Sequence, residues 1–178
     1  MKSGWLGQAF TVLLVVGLLL GAIYQGVQEA KEKRLLSTGE LAPDFGLRRP
    51  DGSQVTLSSL RGQVVMLDFW ATWCPPCVRE MPYLTRLAKE YEARGLAFVA
   101  ANNDEPDEAE GAVEAFVSSR APELRRYVAF SDEVTSQRYR VRTLPTVYVI
   151  DRQGRVAKAH AGLASETMLR RWIEEALR

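Results

Sequence analysis

The chain has 178 residues, enough for one domain and a short additional segment. Its 23 basic and 22 acidic residues nearly balance, so charge gives it no reason to bind nucleic acid, and we expect no such partner. Two cysteines allow one disulfide, which is too few to hold together a disulfide-rich scaffold. If they pair, we therefore expect the bond to serve chemistry rather than stability.

The N-terminal segment is predicted to anchor the chain in a membrane. No charged residue occurs from Ser3 to Gln28, and Trp5 and Tyr24 bracket an apolar run long enough to span a bilayer as a helix. No small-residue cleavage site follows the apolar core, which favours an uncleaved signal anchor over a cleaved signal peptide. The predicted division of the chain is a short head (1–4), a transmembrane signal anchor (5–24), a linker (25–40) and one folded domain (41–178).

The charges that flank this anchor leave its orientation open. Lys2 lies on one side, and Lys31, Lys33 and Arg34 lie on the other. Because the side richer in basic residues tends to stay in the cytoplasm, this count alone leans toward a cytoplasmic domain.

After the linker, strands and helices alternate. A Pro-Asp-Gly turn (50–52) joins two short strands, and the apolar run 64–70 predicts a central strand covered on both faces. An amphipathic helix over 75–93 follows. Further along we predict a strand (95–104), a helix (107–120), a short strand (126–132), a short helix (133–141), a two-stranded hairpin (145–150 and 155–161) and a last helix from Ser165. With a Cys-x-x-Cys pair at the end of the first central strand, this order predicts a thioredoxin-like α/β fold.

Two stretches of the sequence carry a family resemblance. The first reads APDFxLxxxDGxxxxLxxLRGxVVxLDFWATWCPPCxxEMP, and the second reads RTLPTVYVIDRQGRV. In this order they resemble the TlpA/ResA-like membrane-anchored thiol-disulfide oxidoreductases of the thioredoxin superfamily. The resemblance implies a central mixed sheet flanked by helices, an N-terminal β-hairpin and one N-terminal transmembrane helix. It also implies a catalytic domain on the extracytoplasmic (periplasmic) side of a bacterial cytoplasmic membrane, against the charge count.

The two cysteines are predicted to form a redox-active disulfide. Cys74 falls where strand meets helix, and there unpaired backbone N–H groups and the helix dipole lower a thiol's pKa below its usual value of about 8.5. We therefore assign Cys74 as the exposed nucleophile and Cys77, one turn further on, as the shielded resolving thiol. Pro75 and Pro76 stiffen the first turn and remove donors from the thiolate, which favours a reducing role. The alternative is that the two cysteines are buried structural residues with no redox function.

Two acidic residues are candidates for handling the proton of Cys77. Asp68 interrupts an apolar strand, and burial of a carboxyl group raises its pKa. By resemblance to thioredoxins it is the proton acceptor for Cys77, although the lysine that accompanies it there is absent from the next strand (98–101). Glu80 is typical of the resembled family and is a second candidate. A solvent-exposed edge carboxylate and an ordinary exposed helical glutamate are the respective alternatives.

A second loop is expected to complete the site. The resemblance implies that Pro145 follows a cis peptide bond and that the main chain of Leu144 pairs with an extended substrate. A trans proline that merely starts a strand is the alternative. Trp73 is predicted to form a partly exposed apolar rim beside Cys74, while Trp70 packs inside. The predicted substrate-binding residues are Trp73, Pro75, Pro76, Leu144 and Pro145.

Other kinds of site fit the sequence less well. A zinc site needs about four ligands, whereas the chain offers two cysteines and the distant His160, so we predict no metal. A peroxiredoxin uses a Thr or Ser three residues before its reactive cysteine, and here those positions hold Ala71 and Cys74. A tethered interaction domain with a structural disulfide is a further alternative, recognisable because its bond should resist mild dithiol.

The predicted reaction is dithiol–disulfide exchange on protein substrates, with no bound cofactor. Cys74 attacks a substrate disulfide, and Cys77 resolves the mixed disulfide as Asp68 takes its proton. By family analogy, we expect a membrane electron donor of the DsbD/CcdA type to recharge the pair. Apocytochrome c, during cytochrome c maturation, is the leading specific substrate.

Overall fold

The computed structural model describes residues 13–26 and 34–178. Residues 13–26 are helical, and we call this segment α1. Within these two ranges, no helix has both the length and the apolar character needed to cross a membrane. The predicted head (1–4), the first part of the predicted anchor (5–12) and residues 27–33 of the predicted linker lie outside the described residues. The chain divides into two units, Met1–Arg34 and Leu35–Arg178, and the site described below lies in the second.

The second unit alternates strands and helices in the predicted order. Its strands are β1 (Gly46–Arg48), β2 (Gln54–Thr56), β3 (Val64–Trp70), β4 (Leu96–Asn102), β5 (Val128–Phe130), β6 (Thr146–Ile150) and β7 (Val156–Ala161). Its helices are α2 (Pro75–Tyr91), α3 (Pro106–Ser119), α4 (Glu133–Arg138) and α5 (Glu166–Leu177). Short 3₁₀ turns lie at Ser58–Leu60, Glu92–Arg94 and Pro122–Leu124. The helix predicted over 75–93 therefore ends two residues early as an α-helix, and its last part is the 3₁₀ turn before Gly95.

The strands of this unit form one mixed sheet in the order β2-β1-β5-β4-β3-β6-β7. Strands β3, β4 and β5 are parallel, whereas β6 is antiparallel to β3 and β7 is antiparallel to β6. The hairpin β1–β2 joins the sheet through an antiparallel pairing of β1 with β5. The predictions of a thioredoxin-like mixed sheet and an added N-terminal hairpin are confirmed.

Strand β3 is buried on both faces, and its residues alternate between two apolar clusters. Val64, Met66 and Trp70 belong to the cluster formed with α2, α3 and α5. Val65, Leu67 and Phe69 belong to the cluster on the opposite face, with the hairpin and Tyr139. Because side chains alternate along a strand, Asp68 points to the face that carries α2.

Three connections meet at one edge of the sheet. Strands β3 and β4 run in parallel, with Trp70 opposite Asn102, so the loops that follow both strands leave from the same edge. Strand β6 runs the other way, and its first residue, Thr146, lies opposite Phe69. The start of α2, the segment after β4 and Pro145 are therefore brought together.

A short N-terminal segment, residues 38–41, runs along the outer edge of β7. The N–H of Gly39 donates to the carbonyl of Val156 at 2.8 Å, and the N–H of Val156 donates to the carbonyl of Glu40 at 2.9 Å. Leu36, just before this segment, is buried. The packed unit thus begins within the stretch that was predicted to be linker.

Candidate active site

The disulfide lies at the start of α2. Cys74 is the N-cap of this helix, with an extended backbone, and its sulfur accepts a hydrogen bond from the N–H of Cys77 at 3.3 Å. Pro75 and Pro76 occupy the first two helical positions and have no N–H to donate. The N–H of Cys77 is therefore the first helical donor available to the Cys74 sulfur, which is covalently bonded to Cys77.

The accessibility of the two cysteines differs from the prediction for one of them. Cys77 is fully buried, as predicted, but Cys74 is only 4% exposed in this disulfide form. The prediction of an exposed Cys74 is wrong for the oxidised protein. The disulfide holds its sulfur against Cys77, inside the apolar cluster beneath α2.

The two tryptophans divide as predicted. Trp73, directly before Cys74, is 67% exposed. Trp70 is fully buried and packs on Phe116 of α3, with ring centroids 5.3 Å apart. The disulfide is thus bordered by one large exposed apolar side chain on its own loop.

Asp68 is completely buried, so the alternative of a solvent-exposed edge carboxylate is wrong. No group among the described residues donates a hydrogen bond to either of its oxygens. Burial raises the pKa of Asp68 well above its ordinary value, and the neighbouring Glu80 raises it further. The surroundings of Asp68 therefore favour its protonated form.

Glu80 is also buried, at 1% exposure, which excludes the alternative of an ordinary exposed helical glutamate. Its Oε2 accepts a hydrogen bond from the N–H of Ala164 at 3.2 Å and lies 3.5 Å from the hydroxyl oxygen of Tyr83. Burial raises the pKa of Glu80 to about 7, although the N–H of Ala164 acts in the opposite direction. Its Oε1 receives no bond from a donor group among the described residues.

Asp68 and Glu80 form what we call the acid pair. Their carboxyl groups lie within hydrogen-bonding reach of each other. Two carboxylates so close in a buried site cannot both ionise easily, so the two groups bond to each other when they share one proton. Because the pKa of Glu80 is raised to about 7 and that of Asp68 is raised well above its ordinary value, the pair holds a proton to higher pH than free carboxyl groups do. The sequence predicted each acid separately and missed the pairing.

Tyr83 is a further residue that the sequence analysis missed. Its hydroxyl donates to the carbonyl of Ala164, whose N–H is bound by Glu80. The N–H and the carbonyl of Ala164, in the β7–α5 loop, are therefore both hydrogen-bonded to side chains of α2. Tyr83 follows Glu80 by three positions, the spacing that places two side chains on one helix face, and this was the available signal.

The Leu144–Pro145 bond is cis, as predicted. Pro145 is buried, and its carbonyl accepts a hydrogen bond from the N–H of Gly162 at 2.8 Å. The β7–α5 loop is thus tied to the proline loop at Gly162 and to α2 at Ala164. Between these two residues, Leu163 is 46% exposed, a second apolar side chain that the sequence analysis did not single out.

The fold and the site together define a class. A mixed sheet, a Cys-x-x-Cys disulfide at a helix start and a cis-proline at the same sheet edge are the features of a thioredoxin-fold thiol-disulfide oxidoreductase. The AhpC/TSA family matches residues 38–159, so the chain belongs to this family.

Curated relatives and a solved structure agree with this class. The chain is 36% identical over 159 residues to the thiol-disulfide oxidoreductase ResA of Bacillus subtilis (strain 168), covering 89% of this chain and 86% of the relative. It is 33% identical over 177 residues to the thioredoxin-like protein YneN of the same organism, covering 99% and 98%. A crystal structure of a thiol:disulfide interchange protein from Chlorobium tepidum TLS superposes with a TM-score of 0.68 at 26% identity, covering 80% and 99%. The protein is a ResA-like thiol-disulfide oxidoreductase.

Proposed function

We propose that the protein reduces disulfide bonds in extracytoplasmic proteins while tethered to the outer face of a bacterial cytoplasmic membrane. The observation that supports this chemistry is the arrangement of the two cysteines and the acid pair. The sulfur of Cys74 caps α2, Cys77 lies fully buried one turn further on, and the acid pair occupies the same face of the sheet. A nucleophile, a resolving thiol and a buried pair of acids therefore lie on one face of the sheet.

Exchange starts from the reduced protein, when the thiolate of Cys74 attacks one sulfur of a substrate disulfide. The Cys74–substrate bond forms, the substrate S–S bond breaks, and the leaving sulfur takes a proton from water. The deprotonated Cys77 then attacks the sulfur of Cys74, and the second substrate sulfur leaves. Two electrons have passed to the substrate, and the Cys74–Cys77 disulfide described here is the product.

The acid pair accounts for the proton of Cys77. This thiol must lose its proton before it attacks, and it has no exposed surface from which to lose it to bulk water. With one shared proton, Asp68 and Glu80 can still accept another. Because the pKa of Glu80 is about 7, the pair has this capacity above roughly pH 7 and loses it below.

The two prolines support the reducing direction. A disulfide that readily oxidises other thiols needs a strongly stabilised thiolate on its nucleophilic cysteine. Pro75 and Pro76 withhold two N–H groups from the sulfur of Cys74, and the N–H of Cys77 is the donor that remains in the first turn. Fewer donors leave the dithiol form less stable and a better source of electrons.

The proposed tether and partners are supported by the sequence and by family analogy. The uncharged run from Ser3 to Gln28 supports an anchor, and the apolar side chains of the described part, such as Leu18 and Ile23, are exposed. With no bound cofactor, oxidised protein needs a partner dithiol, and we propose a membrane donor of the DsbD/CcdA type. Apocytochrome c is the substrate that we propose by family analogy.

Trapping tests the proposed reaction. Full-length Cys77→Ala should accumulate mixed disulfides on Cys74 in cells, and mass spectrometry of the adducts names the substrate. The matched control, Cys74→Ser with Cys77→Ala, should trap none, and Cys74→Ser alone should lose all insulin reduction. Undiminished insulin turnover by Cys74→Ser would refute the assignment, and a wild-type bond that resists mild dithiol would indicate a structural disulfide.

A topology reporter tests the proposed location. An alkaline phosphatase fused to the C-terminus should be active, because it folds only where disulfides form, outside the cytoplasm. A silent fusion, with the same chain fully expressed, would place the domain in the cytoplasm.

A further inference from the structure

A buried carboxylate that the exchange chemistry does not use lies just after β4. Asp104 is 8% exposed, and its oxygens accept the backbone N–H of Thr72 at 3.0 and 3.4 Å. The side chain of Asn102 holds it in place, donating to Oδ2 of Asp104 at 3.1 Å and accepting from the N–H of Asp104 at 3.2 Å. Both ends of the Asn102 amide and both oxygens of Asp104 are thus engaged.

Thr72 lies in the middle of the loop that leads from β3 to the disulfide. At the end of this loop, the N–H of Cys74 donates to the carbonyl of Ala71 at 3.2 Å, which closes a tight turn. Asp104 holds the same turn from the outside, through the N–H of Thr72. Trp73, the next residue, points to solvent. The position of the nucleophilic sulfur therefore depends on a side chain of another strand's loop.

We propose that Asp104 is a positioning residue of the redox site: it holds the Thr72 turn so that the sulfur of Cys74 stays at the start of α2. This inference rests on the proposed exchange chemistry, in which that sulfur attacks the substrate. A hydrogen bond to a charged acceptor is stronger than one between neutral groups. Without Asp104, the half-buried N–H of Thr72 loses its partner, and the turn is free to move the nucleophile out of line.

The test compares full-length Asp104→Ala with Glu105→Ala. Glu105 is the neighbouring acid, exposed, and its side chain makes no cap bond to α3, so the two variants remove acidic side chains one residue apart. In Asp104→Ala, the Thr72 amide should exchange its hydrogen about 10- to 100-fold faster relative to Leu67 at the centre of β3. The kcat of insulin reduction should fall about tenfold because the nucleophile is misplaced. Glu105→Ala should match wild type in both measurements.

A conservative variant separates positioning from loss of fold. Asp104→Asn keeps one oxygen for the N–H of Thr72 and should recover most of the amide protection and most of the kcat. If Asp104→Ala does not fold, Asp104→Asn and Glu105→Gln give the same comparison, with a small Thr72-specific change expected in the first variant only.

Three results would overturn the proposal. The first is Thr72 exchange equal to that of wild type in Asp104→Ala, or in Asp104→Asn if Asp104→Ala does not fold. The second is a loss of kcat in the Glu105 variants equal to that in the Asp104 variants. The third is faster Thr72 exchange with an unchanged kcat, which would make the bond purely structural. If wild-type protein itself fails to reduce insulin, the proposed function fails, while the exchange of Thr72 still decides whether Asp104 anchors the loop.

Discussion

Asp68 and Asp104 are both buried near the same edge of the sheet, but their oxygens are used in opposite ways. The oxygens of Asp104 accept bonds from Thr72 and Asn102, whereas among the described residues Asp68 has only the other acid, Glu80, to bond with through a shared proton. A buried carboxylate with a full set of donors is a stable support for the chain around it. One without donors prefers to hold a proton, and a second acid, Glu80, lies beside it to share that proton.

This difference separates two meanings of a buried acid. Burial alone does not mark a group that handles protons, because Asp104 is nearly as buried as Asp68. The distinguishing property is an unmet capacity to accept hydrogen bonds, which is costly to the folded state. The pKa of Asp68 itself is raised by burial and then by the neighbouring Glu80. Substitutions at these positions should therefore have different, and partly opposite, effects.

The largest expected effect is on the rate at which Cys77 resolves a mixed disulfide. Asp68→Asn removes one of the two carboxyl groups of the acid pair that takes the proton of Cys77, so this step should slow about a hundredfold near neutral pH. Single-turnover kinetics with a fluorescent mixed disulfide measures it. Asp107→Asn, an exposed acid in the first turn of α3, is the control and should resolve at the wild-type rate. An unchanged rate in Asp68→Asn would remove Asp68 from the mechanism.

The second prediction concerns the sign of the change in stability. Because the pKa of Asp68 is raised by burial and by Glu80, the folded state loses stability as the pH rises from the ordinary carboxyl value through the raised one. Asp68→Asn removes this loss and should increase the free energy of unfolding by about 1–3 kcal/mol at pH 8, with a smaller gain at pH 4.

Asp104→Ala should do the opposite and lower the free energy of unfolding by about 1–3 kcal/mol at pH 8, because it leaves Thr72 and Asn102 without an acceptor. Urea unfolding of the oxidised proteins measures both changes. The same sign for the two variants would contradict the distinction between a satisfied and an unsatisfied buried carboxylate.

The smallest expected effect is a change in the pH profile. The wild-type resolution rate should rise with pH through about 7, because the pKa of Glu80 lies there. Glu80→Gln should flatten this rise and slow the step several-fold above pH 7, while its amide oxygen still accepts the N–H of Ala164. Glu90→Gln, on the exposed face of α2, should keep the wild-type profile. An unchanged inflection in Glu80→Gln would assign the titration to another group.

Local signals in the sequence were sufficient for much of the fold and for part of the site. The apolar run of β3, the periodicity of α2 and the hairpin β6–β7 each show in a few consecutive residues, and all are present. The cis bond before Pro145 was predicted from the family resemblance that a short motif carries, and the contrast between Trp70 and Trp73 from their positions relative to Cys74. These features depend on neighbours in the chain, which a single sequence displays.

The features that were missed depend on residues far apart in the chain. The bonds of Glu80 and Tyr83 to Ala164, and of Asp104 to Thr72, form only once the sheet has brought separate loops to one edge. For the same reason, the helical pattern could not tell whether Glu80 faces solvent or Asp68. The near burial of Cys74 was missed because motif position reports the helix start and not the packing around the sulfur.

The segment 38–41 protects an edge of the sheet from self-association. A sheet that ends in an unpaired strand offers free N–H and carbonyl groups to other chains, which is a common route to aggregation. Gly39 and Glu40 occupy those groups at the start of β7. A version of the protein shortened past Leu41 would uncover them, so the stretch that leads toward the N-terminal helix also serves as a guard against self-association.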